Sequence, residues 1–235
     1  MEPSILPSPA PADQDTAPDL WLVRHGESTW NVAGLAQGQL DQAELTERGL
    51  RQAAEAARPF RDRPIRAIYA SDLRRARQTA AAFAAVVGLP VFADPRLRER
   101  SLGVLEGEPS MPPRPLVTGL DDGRVVDPDA RPADGESVRE MYTRAASFCD
   151  ELAATIGGGG DGSAAGAFPV PAGAVGDVVV IAHGGTVRVL TAYLHGIAPD
   201  QMIWGPVENA TVVHISDFRA RLPGAASPHP RSPLH

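Results

Sequence analysis

Short apolar runs recur along the chain and alternate with segments in which apolar residues lie three or four positions apart. Runs rich in Val, Ile and Ala that are bounded by turn signals are typical of buried strands, whereas spacings of three and four are typical of one helix face. The first pattern predicts strands at Asp19–Arg24, Ile65–Ala70, Val91–Ala93, Asp177–Ala182 and Ala210–Ser216.

The second pattern predicts helices in the segments that connect these strands. The first helix has Leu50, Ala53, Ala54 and Ala57 on its apolar face, and Ser71 is a candidate cap for the second. The further helical faces are Leu73–Val87, Val138–Leu152 and Thr186–Leu194. Strands that alternate with helices indicate an α/β protein, here a three-layer α/β/α sandwich around a mostly parallel sheet.

Four segments lack either pattern. Residues 1–18 and 219–235 are rich in proline and small residues, so they are predicted to be disordered tails that flank one domain at 19–218. The Pro- and Asp-rich segment 107–134 is predicted to be a small insertion over the C-terminal edge of the sheet. The low-complexity segment 157–176 is predicted to be a mobile surface loop without a catalytic role.

Charge and composition narrow the choice of partners. The 235-residue chain has a formal net charge of −7, which argues against a nucleic acid or an anionic membrane as the partner. A small anionic substrate remains compatible, because a pocket can be basic inside an acidic protein. We see no apolar run near the ~18 residues of a membrane span and no signal-peptide pattern, so a cytoplasmic protein is expected.

The types of reactive side chain exclude several chemistries. All 22 basic residues are arginine, so neither Schiff-base catalysis on lysine nor a P-loop lysine is available. Cys149 is the single cysteine and is predicted to be a buried apolar residue of a helix. A bound phosphate would have to be held by arginine, histidine, amide or backbone groups.

Two histidines end two of the predicted strands in the same way. His25 follows Arg24 and precedes a glycine, and His183 ends the strand Asp177–Ala182 and is followed by Gly184. Open α/β sheets bind ligands at the carboxyl ends of their strands, so both histidines are expected at one site. The helix that begins near His183 favours an anion there.

An arginine and a glutamate follow two other strands. Arg74 or Arg75, just after Ile65–Ala70, could reach the same anion, because the guanidinium fork binds phosphate oxygens in pairs. Glu99 follows the strand Val91–Ala93, and a carboxyl group beside an anion is expected to hold a proton and to act as a general acid. A metal on the two histidines would need a third ligand, which no spacing supplies, so we predict no metal and no cofactor.

The motifs as a set resemble the histidine phosphatase (phosphoglycerate mutase-like) superfamily. The segment at 23–31, VRHGESTWN, is similar to the signature of that superfamily. The similarity continues in family order to about residue 217. The further blocks lie at 37–41, 45–49, 71–79, 97–100, 103–107, 134–137 and 182–185.

The resemblance implies a role for each matching position. His25 corresponds to the nucleophile that becomes phosphohistidine, and Glu99 corresponds to the proton donor. His25 would have to be neutral to attack, with its ring oriented through its other nitrogen by a backbone carbonyl. The phosphoryl group would be held by Arg24, Arg75, His183 and Asn31. The remaining substrate-contacting positions are Gln37, Gly38 and Gly184.

Three functions are compatible with the family. The first is a phosphatase for a small phosphorylated metabolite, the second is a phosphoglycerate mutase, and the third is a non-catalytic phosphate-binding protein. Mutases of the family carry a longer basic insertion after the position of Glu99, whereas 107–134 is short and holds three arginines, so hydrolysis is favoured. Segments 37–41 and 71–76 resemble the glucosyl-3-phosphoglycerate phosphatases and their broad-specificity relatives. Dimers are common among relatives, which leaves a homodimer open.

Overall fold

The centre of the protein is a five-stranded sheet. The computed structural model describes residues 18–110, 118–157 and 175–222. The strands of the sheet and of a separate two-stranded hairpin are β1 (Leu20–Arg24), β2 (Ile65–Ala70), β3 (Val91–Ala93), β4 (Leu120–Asp121), β5 (Arg124–Val125), β6 (Asp177–Ala182) and β7 (Val212–Ile215). The sheet has the order β3-β2-β6-β1-β7, and β4 pairs with β5. Within the five-stranded sheet only the pairing of β7 with β1 is antiparallel, so the predicted mostly parallel sheet is confirmed.

Helices cover both faces of this sheet. They are α1 (Thr29–Ala33), α2 (Glu47–Ala57), α3 (Arg74–Val87), α4 (Val138–Gly157) and α5 (Gly184–Leu194). Alternate residues of β1 belong to two separate apolar clusters. Trp21 and Val23 pack in a cluster with the buried alanines of α3, while Leu20 and Leu22 pack in a cluster with α4 and α5. This alternation with period two is why one strand serves two cores, and it gives the three-layer architecture.

The apolar face predicted for α2 is wrong in two positions. Leu50 is 48% exposed and Ala54 is also exposed, whereas Gly49, Ala53 and Ala57 face the core. Gly49 brings α2 against the backbone at Glu27 so closely that a Cβ at this position would clash with the Glu27 carbonyl oxygen. The close approach of the two backbones therefore selects which side of α2 is buried.

The predicted cap of α3 is also wrong. The N-cap residue of α3 is Leu73, and no side chain caps the helix. Ser71 is fully buried, and its hydroxyl accepts a bond from the Leu73 N–H at 3.3 Å and pairs with the ring of His183. Helix α5 begins at Gly184, two residues before the predicted start, and His183 is its N-cap residue.

The predicted ends of the domain need one correction. The chain continues past 218 as a 3₁₀ turn at Phe218–Arg221, and Phe218 is fully buried in the core. The boundary was placed too early because a turn of this kind has no apolar periodicity. Residues 1–17 and 223–235 of the predicted tails, and 158–174 of the predicted loop, lie outside the described residues. Within the described ranges, every helix is too short or too polar to cross a membrane.

Candidate active site

A cavity of about 440 Å³ opens at the carboxyl ends of β1 and β6. All the site residues predicted from the sequence line it except His183, which lies behind His25 with the two ring centroids 5.1 Å apart. The charged residues of its described lining are four arginines and one carboxylate: Arg24, Arg75, Arg100, Arg188 and Glu99. The site is therefore basic although the chain as a whole is acidic.

His25 is held in one orientation by the backbone. Its Nδ1 lies 2.7 Å from the Gly26 carbonyl oxygen, which can only accept, so Nδ1 carries the proton and Nε2 keeps its lone pair. The predicted orientation by a backbone carbonyl is confirmed. Gly26 is fixed in turn, because its N–H donates to Thr79 Oγ1 at 3.1 Å. Burial lowers the pKa of His25 well below its usual value, and the guanidinium groups of Arg75 and Arg24 lower it further. The ring is therefore neutral, with a lone pair available on Nε2.

Arg75 is fully buried and connects this edge of the sheet to the loop at 37–40. Its Nη1 donates to the Leu40 carbonyl at 2.9 Å and its Nη2 donates to the Gly38 carbonyl at 2.8 Å. Burial lowers its pKa to about 10, which leaves it charged at neutral pH. The neighbouring Arg74, the other candidate, lies on the surface and pairs with Glu44. The structure thus assigns the site position to Arg75.

Three buried nitrogens at this edge lack a partner among the described residues. They are Nε of Arg24, Nε of Arg75 and Nδ1 of His183. Arg24 also donates through Nη1 to the Val207 carbonyl, so its side chain is fixed although its Nε is free. A buried N–H without an acceptor is costly, and two guanidinium groups side by side repel one another. An oxyanion placed here would relieve both penalties.

His183 is neutral for the same reasons as His25. Burial lowers its pKa well below the usual value, and Arg75, His25 and Arg24 lower it further. Its Nε2 lies 2.9 Å from Ser71 Oγ, which fixes the ring. Because His183 also begins α5, it stands where the helix dipole favours a negative charge.

Asn31 is oriented by three donors. Its Oδ1 accepts bonds from the Ser28 N–H at 3.1 Å, from Ser28 Oγ at 3.0 Å and from Asn209 Nδ2 at 3.1 Å. With its oxygen occupied in this way, the amide presents its NH₂ group as the remaining donor at the cavity wall. Asn209 also donates to the His25 carbonyl at 3.2 Å, so one side chain positions both residues.

Glu99 is held by two backbone amides. Its Oε1 accepts from the Arg100 N–H at 2.8 Å, and its Oε2 accepts from the Gly185 N–H at 2.9 Å. A Cβ on Gly185 would clash with Glu99 Oε1, so the second glycine after His183 is needed to admit the carboxyl group. This contact brings a residue that follows β3 to the N-terminus of α5.

The remaining predicted positions lie on the loop at 37–40. Gln37 Oε1 lies 3.0 Å from Ser28 Oγ and shares the single proton of that hydroxyl with Asn31 Oδ1, and Gly38 has a φ of +48°. The Glu106 carboxylate holds the end of this loop, because it accepts from the Gln39 N–H at 2.9 Å and the Leu102 N–H at 2.8 Å. A left-handed conformation packed against a side chain explains why glycine stands at 38.

The segment 118–136, called the roof below, closes one side of the cavity through Thr118 and Leu120. Arg100 is 2% exposed and holds the roof through three carbonyl oxygens. Its Nε donates to Glu136 at 2.6 Å, its Nη1 to Thr118 at 2.6 Å and its Nη2 to Ala130 at 3.0 Å. The guanidinium group of Arg100 therefore anchors the described part of the predicted insertion at three main-chain oxygens.

The sequence reasoning missed four residues of this site: Ser71 as partner of His183, Thr79, Arg188 and Asn209. Ser71 and Thr79 lie inside a recognised motif, but their partners are distant in sequence. An asparagine just before β7, the strand that pairs with β1, was the available signal for Asn209.

Within residues 18–110, 118–157 and 175–222, no cluster of three His, Cys, Asp or Glu side chains could hold a metal ion.

The two neutral histidines predict how stability depends on pH. Their pKa values are lowered by burial, so in the window below about pH 6.5 the unfolded chain binds more protons than the folded one. The free energy of unfolding should fall as the pH falls through this window, by up to about 1.4 kcal/mol per pH unit for each histidine, and should be unaffected by them above it. Urea unfolding between pH 8 and 5 measures the slope.

His183→Gln should make this slope shallower, because glutamine can still bond to Ser71 but does not titrate. The control is His195→Gln, since His195 is exposed at the end of α5. Parallel curves for the native protein and His183→Gln would contradict the assignment.

Comparison with known proteins agrees with the geometry. A curated relative, the probable phosphoglycerate mutase GpmB of Yersinia pestis (strain Pestoides F), is 41% identical over 146 residues. That match covers 57% of this chain and 64% of the relative, so the chain spans just under two thirds of the length of that protein. The corresponding protein of Erwinia tasmaniensis is 42% identical over 133 residues, or 53% of this chain and 58% of the relative.

Two solved structures match over more of the chain. The mycobacterial glucosyl-3-phosphoglycerate phosphatase superposes with a TM-score of 0.65 at 32% identity and covers 84% of this chain and 89% of its own. The alpha-ribazole phosphatase of Shigella flexneri gives 0.64 at 25% identity, with 84% and 90% covered. The family model for the histidine phosphatase superfamily (branch 1) matches residues 20–221. With both histidines, both arginines and the glutamate gathered at one sheet edge, the chain belongs to that superfamily.

Proposed function

We propose that the protein hydrolyses the phosphate monoester of a small metabolite through a phosphohistidine at His25, without a metal. The observation that carries the proposal is the state of His25. It is buried and neutral, its Nδ1–H is bonded to Gly26, and it stands beside unpartnered guanidinium nitrogens. This arrangement offers a lone pair to phosphorus and donors to the phosphoryl oxygens.

The first half-reaction transfers the phosphoryl group to the enzyme. The Nε2 lone pair of His25 attacks phosphorus, and the bond from phosphorus to the ester oxygen breaks. Arg24, Arg75 and the Asn31 amide stabilise the charge on the three phosphoryl oxygens. Glu99 gives a proton to the departing oxygen, which leaves as an alcohol.

The second half-reaction returns the enzyme to its starting state. Water attacks the phosphorus of phosphohistidine, and Glu99 takes one proton from that water. The bond from phosphorus to Nε2 breaks, and inorganic phosphate leaves. One ester and one water thus give one alcohol and one phosphate.

The roof favours hydrolysis over mutase activity. A mutase has to hold a bisphosphate and exclude water during re-transfer. Of the arginines described in the roof, Arg131 pairs with Glu140 at 2.7 Å on the surface, and Arg124 is exposed. Neither lines the cavity. The likeness to a probable phosphoglycerate mutase makes re-transfer the second candidate, and a non-catalytic phosphate-binding protein is the third.

The test is phosphate release from a panel of phosphorylated metabolites, in the presence of a chelator and with 3-phosphoglycerate included. Release from one or a few esters that is insensitive to the chelator supports the phosphatase. Interconversion of 2- and 3-phosphoglycerate without release would overturn it in favour of the mutase. Tight phosphate binding without either reaction would favour the binding protein.

Glu99→Gln separates the proton-transfer role from the shape of the site. Glutamine cannot donate an acidic proton, so hydrolysis of alkyl phosphates should slow about 100-fold or more, within the usual range for general acid catalysis. An activated aryl phosphate, whose leaving group needs little protonation, should lose much less. The measurement is kcat for both esters with each enzyme. Equal losses on the two esters would show that Glu99 is not the acid.

A further inference from the structure

Arg188 is a cavity residue that the proposed catalytic steps do not use. It projects from the second turn of α5 and lines the same cavity as His25. Its Nε donates to the Gly205 carbonyl, and its guanidinium group lies over the ring of Trp204 with 5.2 Å from Cζ to the ring centroid. These two contacts fix the plane of the guanidinium group and leave its terminal nitrogens without a hydrogen bond among the described residues.

The other cavity arginines are committed elsewhere. All three guanidinium nitrogens of Arg100 donate hydrogen bonds to roof carbonyls, and two nitrogens of Arg75 donate to carbonyls of the loop at 37–40. In the described part of the chain, no carboxylate forms an ion pair with Arg188. Glu99, the one carboxylate in the described lining of the cavity, already accepts hydrogen bonds from two backbone N–H groups. Arg188 therefore carries a charge that is not neutralised by an ion pair with any described carboxylate.

Arg188 lies between the sheet edge that carries Arg24 and the roof. A Cβ on Gly184 would lie 3.5 Å from both Arg188 Nη1 and Arg24 Nε, so the two arginines flank this glycine. On the other side, the N–H of Trp204 donates at 2.6 Å to the carbonyl of Gly123, in the turn between β4 and β5. Arg188 thus stands between Arg24, which the proposed mechanism places on the phosphoryl group, and the roof, on the side that this mechanism leaves for the leaving group.

We propose that Arg188, supported by Trp204, forms a second anion subsite that binds a negatively charged group on the leaving-group side of the substrate. The inference rests on the proposed phosphatase function and narrows its substrates to phosphate monoesters with a second anionic group. The guanidinium fork can donate paired hydrogen bonds to the oxygens of a carboxylate or of a second phosphate. The ligand group that the subsite binds is therefore an oxyanion of either kind.

Paired esters test the subsite. 3-Phosphoglycerate is compared with glycerol 3-phosphate, which has a hydroxymethyl group in place of the carboxylate, and fructose 1,6-bisphosphate is compared with fructose 6-phosphate. Arg188→Met keeps an apolar stem on Trp204 but removes the charge. It should lower kcat/KM for the charged member about 10- to 100-fold, mainly through KM, and for the neutral member by less than about threefold.

The pair that responds identifies a carboxylate or a phosphate as the second group. Arg51→Met is the matched control, because Arg51 is exposed on α2 beside Glu47 and far from the described lining of the cavity. Arg188→Lys should restore part of the loss, since the charge returns without the fork. Equal losses on both members of each pair would overturn the subsite and leave Arg188 with a purely structural role at Gly205.

A binding measurement separates this proposal from the phosphatase itself. In the His25→Ala background, calorimetric titration should show tighter binding of the charged member of a pair, and adding Arg188→Met should remove that advantage. Equal affinities for both members in His25→Ala would refute the subsite even if the native enzyme is an active phosphatase. Failure of the native enzyme to release phosphate from any ester, with the affinity difference intact, would refute the phosphatase alone.

Discussion

Replacement of His25 by alanine is expected to lower phosphate release by at least about 1,000-fold, because the variant loses the atom that accepts the phosphoryl group. The fold should be retained, since the Gly26 turn is also held by Thr79. The decisive measurement is the covalent intermediate. Quenching a reaction with labelled substrate should trap an acid-labile, base-stable phosphoenzyme in the native protein and none in His25→Ala.

The matched control for this substitution is His195→Ala. His195 is the exposed histidine at the end of α5, and its Nδ1 bonds to the Thr191 carbonyl at 2.7 Å. Its activity should stay within about twofold of the native value, as is usual for surface positions away from a site. Substantial turnover in His25→Ala, with a folded protein by circular dichroism, would exclude the phosphohistidine mechanism.

Replacement of Arg75 by methionine is expected to have the second largest effect, a loss of about 1,000-fold in kcat/KM. Arg75 would act twice in the proposed mechanism: its charge would stabilise the phosphoryl group, and its Nη groups hold the carbonyls of Gly38 and Leu40. Removing one preorganised donor to a developing oxyanion costs about 100- to 1,000-fold, and the loop would lose two bonds in addition. Steady-state kinetics with an aryl phosphate, together with thermal unfolding, measures both consequences.

The adjacent Arg74 provides an unusually close control. Its side chain is 49% exposed and pairs with Glu44 on the surface, one residue away from the buried Arg75. Arg74→Met should change kcat/KM by less than about threefold, in keeping with the small worth of exposed ion pairs. Similar losses in the two variants would mean that the assignment of the phosphate-binding arginine to position 75 is wrong.

The positions of the strands and the sheet edge at which the candidate residues meet could be predicted because both depend on short-range patterns. The runs that form β1 and β6 each end in histidine and glycine, and parallel neighbours necessarily bring such ends together. The family motifs then singled out Arg75 from Arg74. Burial and hydrogen bonding in the structure make the same distinction from physical evidence.

What could not be predicted depends on contacts between residues far apart in the chain. Asn209 orients Asn31 across 178 positions, and Ser71 fixes His183 across 112. Neither pairing leaves a periodic trace in the sequence. The prediction of the buried face of α2 was wrong for a related reason. A side chain on Gly49 would clash with Glu27, and this constraint outweighs the apolar character of Leu50. The hydrophobic pattern shows which side chains are apolar, whereas close backbone contact determines which face of the helix can pack against its neighbour.

The attachment of the roof has a consequence for how this protein can diverge. Arg100 grips the roof through the main-chain oxygens of Thr118, Ala130 and Glu136, and a main-chain oxygen is present whatever the side chain. Substitutions at Leu120 and its neighbours can therefore remodel the wall that faces the leaving group without detaching it. If the proposed function holds, selection can change the preferred ester by altering a few roof side chains while the residues below stay the same. We would accordingly expect gene duplicates of this protein to differ first in this wall.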